Sequence, residues 1–217
     1  MKHIARNLVW TGQYTALACA AALAMASTSS VQAQQSGVTA GKVTFPAGLQ
    51  WQMMPVVSFN FPVKSGTPAE RRLAEQVWKK ELADLPSREF HDRVSQYPAF
   101  ILVGAVEDQA RRYIFSGLSA AYVAYPECEN PPNGGDEHTP TWSTCPMRVV
   151  VQDKATGAKL MQEDFPDYCL LSSHGPDDPP SENRTELAFD HTTKTAYFRV
   201  LQYGKHVKSC DRAIRFQ

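Results

Sequence analysis

Between Leu49 and Val63 the chain alternates. Leu49, Trp51, Met53, Val57, Phe59, Phe61 and Val63 recur at a spacing of two, with Gln50, Gln52, Ser58 and Asn60 between them. A period of two puts one set of side chains on one face of a strand, so the pattern predicts a half-buried β-strand. Pro55 and Pro62 offer no backbone N–H to a ladder, which pushes that strand to a sheet edge or breaks it into two pieces.

The period then changes. In SGTPAERRLAEQVWKKELADLP the apolar positions Leu73, Val77, Trp78, Leu82 and Leu85 form one helical stripe, with Arg71, Arg72, Lys79 and Lys80 off it. Thr67 stands three residues before Glu70 and directly before Pro68, the arrangement of a capping box with proline at the first helical position. This predicts one amphipathic helix lying on an apolar surface. The next segment, SREFHDRVSQYP, places Phe90, Val94 and Tyr97 at spacings that predict a second, short helix.

Beyond Pro98 the pattern is that of strands. AFILVGAVED, RRYIFSGLSAAYVAYPE and PMRVVVQD are apolar at successive positions, as expected of central strands covered on both faces. QDKATGAKLMQE and TELAFDHTTKTAYFRVLQY each carry turn residues between strand-like arms and predict hairpins. Cys210, Ile214 and Phe216 fall on one alternate set at the end. A helix early and hairpins late, without regular alternation of the two, predict an α+β fold: a mostly antiparallel sheet of about six to eight strands packed with one main amphipathic helix.

The first residues modify this picture. Lys2 and Arg6 without an acid, an apolar run from about Leu17 to Met25, and the small residues of VQA before Gln34 have the order of a secretory signal. The expected organisation is a signal peptide over 1–33, a flexible segment over 34–48 and a single domain over 49–217. The apolar run is too short to span a bilayer, and no later run is longer, so no transmembrane segment is expected. Lipidation at Cys19 is the weaker alternative, because Ala16 stands where an aliphatic residue is usual. The 22 basic residues balance the 22 acidic ones, and loss of the signal removes two of the former. No basic run survives, which argues against a nucleic-acid partner.

Export also decides the sulfur chemistry. Cys128, Cys145, Cys169 and Cys210 remain, an even number in an oxidising space, and such thiols pair. Two disulfides are expected: Cys128 with Cys145, flanking one loop, and Cys169 with Cys210, near the ends of strand-like segments.

Two polar loops hold the candidate chemistry. CENPPNGGDEHTPTWSTC contains Asp136, Glu137, His138 and Trp142 between its cysteines, and its spacing matches no common zinc pattern. LLSSHGPDDPPSENR contains Ser172, Ser173, His174, Asp177 and Asp178, but adjacent Ser173 and His174 do not readily set a hydroxyl against an imidazole nitrogen. No glycine-flanked serine elbow occurs, and the acidic residues lack the alternate spacing of a calcium loop. His191 occupies a hairpin turn and His206 follows the turn at Gly204, so both read as solvated, and the Asn183 sequon reads as a chance occurrence.

These observations predict no metal and no cofactor, and a binding protein rather than an enzyme. The expectation is an exported, periplasmic or secreted module, such as an inhibitor, an immunity protein or an envelope assembly factor, with another protein of the cell envelope as partner. Trp142, His138, His174, Asp177 and Asp178 are the candidate binding residues. The alternatives are a small periplasmic hydrolase with a site assembled from the 128–145 and 171–186 loops, and a subunit of a surface appendage.

Overall fold

The computed structural model describes residues 37–39, 43–59, 65–85, 87–90, 93–96, 99–120, 142–171 and 183–217. In chain order these form β1 (Gly37–Thr39), β2 (Gln52–Met53), β3 (Val56–Phe59), α1 (Pro68–Ala83), β4 (Ser87–Phe90), β5 (Arg93–Gln96), β6 (Ala99–Glu107) and β7 (Arg111–Ala120). Then follow β8 (Trp142–Asp153), β9 (Lys159–Leu171), β10 (Arg184–Asp190), β11 (Thr195–Gln202), β12 (Lys205–His206), a 3-10 turn at Lys208–Cys210, and β13 (Arg212–Arg215). No helix among the described residues is long and apolar enough to cross a membrane.

The fold is α+β and its pairings are antiparallel, but the strands divide into two main sheets where one was expected. One has the order β3-β6-β7-β8-β9; the other has the order β1-β13-β11-β10-β2, with β12 on β11. The reason lies in the central strands. Along β6, Ala99, Ile101 and Val103 face one way and Leu102 the other; along β8, Val150 opposes Met147, Val149 and Val151. A sheet apolar on both faces needs two covers. Helix α1 supplies one, packing Ala74, Val77 and Trp78 against Val57, Ile101, Ile114 and Leu118. The second sheet supplies the other, packing Leu187, Ala196, Phe198, Ile214 and Phe216 against Tyr113, Phe115, Val149, Phe165 and Tyr168. The described residues are arranged in three layers: helix, sheet, sheet.

The expected break at Pro55 is where the chain changes sheet. β2 is an edge of one sheet and β3 an edge of the other. Around Pro55 the alternation reverses phase: Met53 is 49% exposed whereas Met54 is buried between the layers. The crossing is pinned on both sides, since Met54 N–H donates to the Thr185 carbonyl and Val103 N–H to that of Pro55, at 2.9 and 3.0 Å.

Helix α1 begins as expected. Glu70 N–H donates to Thr67 Oγ1 at 3.2 Å, and Thr67 N–H to Glu70 Oε2 at 2.6 Å. Gly66, just before it, has φ +87°, and a Cβ there would lie 2.4 Å from Val57 Cγ1, so glycine alone lets the helix start this close to β3. At Trp78 the backbone leaves helical geometry (φ −115°, ψ 24°). There Trp78 Nε1 donates to Ser116 Oγ at 2.8 Å, and the Arg148 guanidinium lies 4.0 Å over the indole.

The second helix is not formed. Ser87–Phe90 and Arg93–Gln96 instead pair as antiparallel strands, with Phe90 opposite Arg93 and Glu89 opposite Val94. Between Pro86 and Pro98 there is room for only about three helical turns, a length at which an isolated helix is marginal. The later hairpins are present. Asp153 Oδ1 accepts from Thr156 N–H in the β8–β9 turn, and Asp190 Oδ1 from Thr192 N–H in the β10–β11 turn, both at 2.8 Å. Gly37–Thr39, within the segment read as the flexible start, pairs with Arg215–Ala213 of β13.

Candidate functional site

The two segments that carry the candidate residues attach at one pole of the sandwich. Ala99 pairs with Ala120 and Trp142 with Leu171, so the end of β7, the start of β8 and the end of β9 lie side by side. The segments 121–141 and 172–182 leave from these neighbouring strand ends. His138, His174, Asp177, Asp178 and Cys128 lie outside the described residues. Trp142 is described through its backbone, which opens β8 opposite Leu171, and its side chain is outside the description.

One disulfide is described, the expected Cys169–Cys210, with its Cα atoms 5.5 Å apart. It ties the loop end of β9 to the 3-10 turn before β13, and packs with Val200 and Val207. The bridge therefore joins the two sheets beneath the stems of both loops. Cys145, opposite Tyr168 in the β8–β9 ladder, is buried. The second expected pairing has its other end, Cys128, outside the described residues.

The opposite pole is built from tight turns. Asp108 shapes the β6–β7 turn, accepting from Ala110 and Arg111 N–H at 2.8 and 2.6 Å and from the Tyr113 hydroxyl at 2.9 Å. Burial pushes the Asp108 carboxyl up, but these hydrogen bonds outweigh it and hold the group below the usual range. Burial, then the hydrogen bond to Asp108, pushes Tyr113 up to about 12. In the β10–β11 turn the Thr193 hydroxyl, followed by the Thr192 amide, holds Asp190 below its ordinary value.

Beside that turn is a cleft of about 510 Å³, between the Pro46–Gln50 segment and the end of β10, with Val106 contributed by β6. His191 stands on its rim, its ring 5.0 Å from that of Phe189. It also borders a shallower depression of about 770 Å³ with Asp108, Lys154 and Lys194. The reading of His191 as a turn residue is correct, and the structure adds that it belongs to two concave surfaces. The oxygens of Asp190 are taken by the turn, accepting from Thr192 N–H and the Thr193 hydroxyl, and Val106 and Leu187 give the cleft apolar lining.

On the outer face of the β10–β11 sheet, unforeseen from sequence, Glu186 is 7% exposed between Arg184 and Arg199. Arg199 in turn lies 4.1 Å over Trp51. Burial pushes Glu186 up, and the hydrogen bonds from the two arginines overcome this to hold it below the usual range. His206, read as solvated, contacts the buried Asp211 at 2.6 Å. Asn183 is buried and its side-chain carbonyl accepts from Tyr203 N–H at 2.9 Å, a structural use of the sequon residue. Among the described residues no three His, Cys, Asp or Glu side chains converge on one point. Compared with known proteins, the chain matches no family model, no curated protein and no solved structure.

Proposed function

We propose that the protein is an exported, disulfide-stapled binding module that engages another protein of the cell envelope through the pole carrying segments 121–141 and 172–182. The single observation behind this reading is the pairing of Trp142 with Leu171, which roots both segments on adjacent strands of a sheet packed on two faces. Recognition resides in loops held by a rigid scaffold, and here that scaffold is cross-linked at the loop stems by Cys169–Cys210. The signal-like residues 1–33 support delivery to an oxidising compartment. The reading includes a second bridge, Cys128 with Cys145: Cys169 and Cys210 are taken by each other, and Cys19 leaves with the signal.

The test replaces 129–141 and 172–182 separately and together with short glycine-serine linkers. The reading expects partner co-purification from the cell envelope to be lost while near-UV circular dichroism is unchanged. A partner retained by the double replacement contradicts it.

A further inference from the structure

We propose that the open edge of β10 at Phe189 is a second binding site, which takes an extended peptide segment as an added strand. β10 is paired along its whole length with β11, from Arg184 to Asp190. On its other side β2 pairs only with Glu186 and Leu187, and Met54 N–H reaches the Thr185 carbonyl. Backbone groups alternate in direction along a strand, so Thr185, Leu187 and Phe189 turn theirs toward the β2 side. Thr185 and Leu187 meet partners there. The N–H and C=O of Phe189 have none among the described residues.

The register of β2, continued, would bring Gln50 opposite Phe189. The chain departs from that line. Trp51 lies on the outer face beneath Arg199, Gly48 turns with φ +81°, and Gln50 bends back to donate to the Gly48 carbonyl at 3.3 Å. The 510 Å³ cleft is the space this departure leaves between the segment and the strand edge. A single unpaired donor–acceptor pair on a strand edge that opens into this cleft selects extended backbone, the mode of β-strand addition. Its walls select side chains. The residue opposite Phe189 points to the same side as Phe189, toward Val106 and Leu187, so an apolar residue belongs there; its neighbours point outward and are unrestricted. The occupant is therefore a short extended stretch of another polypeptide with an apolar residue at its centre.

This site lies at the pole opposite the loop stems, so its test is independent of the proposed function. A phage-displayed library of random seven-residue peptides is panned on the purified full-length protein, and the selected peptides are synthesised and added to labelled protein. The proposal expects peptides with a central apolar residue that slow amide exchange of Phe189 at least tenfold. It expects Thr192→Trp, on the exposed rim, and Leu49→Trp, on the facing wall, each to weaken binding at least tenfold. Replacing 172–182 should leave peptide binding unchanged. The proposal is overturned if panning yields no binder, if binders leave Phe189 exchange unaltered, or if the folded Thr192→Trp protein binds them as before.

Discussion

Glu186 shows how a residue silent in the sequence becomes an energetic centre. It sits opposite Arg199 across the β10–β11 ladder and two residues from Arg184, and both guanidiniums reach it. Its folded pKa is depressed from an ordinary value of 4.5. The stabilisation is therefore complete above that ordinary value and is lost as pH falls through the lower, folded one. Glu186→Gln should lower stability at neutral pH by about 2 kcal/mol, below the roughly 3–5 kcal/mol of a fully buried pair because both arginines touch solvent. The difference from the parent should shrink in acid; urea midpoints at pH 7 and pH 3 check this, and an equal gap at both contradicts the assignment. Nothing in TELAFD or AYFRVL marks the pair, because it depends on a register that only the folded hairpin sets. The Thr67–Glu70 box was legible, by contrast, because all its atoms lie within four residues.

At the level of elements, Arg148 joins three of them. From β8 it donates to Asp164 of β9 through Nε at 2.7 Å and to Glu81 of α1 through Nη1 at 2.7 Å, and it stacks on Trp78. The Asp164 hydrogen bond first, and Glu81 after it, hold the guanidinium protonated more tightly than usual. Arg148→Met would leave Glu81, with a side chain only 13% exposed, without its cation. We expect a loss of about 2–3 kcal/mol, against about 1 kcal/mol for Thr67→Ala, which removes a cap and leaves the packing intact. Denaturant midpoints of the two variants should fall in that order, and the reverse order contradicts a clamp at Arg148. Element identity was largely readable: α1, both late hairpins and the break at Pro55 follow from period, caps and turn residues. The β4–β5 pair was not, because Phe90 and Val94 satisfy a helical spacing as well as a strand pairing. The side-chain phase after Pro55 was hidden too, since a change of sheet reverses it without trace in the alternation.

For the whole molecule, the two-sided apolar strands announced that two covers were required, but not that one cover would be a second sheet. That choice is made by the long-range pairing of β2 with β10 and of β1 with β13, which local patterns do not encode. The Cys169–Cys210 bridge closes this arrangement across a separation of 41 residues. The chain-entropy model gives about 4 kcal/mol for such a loop. In a domain of this size that corresponds to roughly 10 °C in Tm. The double variant Cys169→Ala, Cys210→Ala should show that drop by calorimetry, and an unchanged Tm would remove the bridge from the account of the loop pole. The cleft at Phe189 was illegible for the same reason as the sheets: its two walls come from segments more than 130 residues apart. The central claim concerns the loop pole, and site-specific photocrosslinking in the living cell reaches it most directly. A benzophenone amino acid at Trp142 should give one discrete adduct with an envelope protein, and the same probe at the exposed Leu160 should give none. No adduct from position 142, or the same adduct from both positions, would contradict the claim.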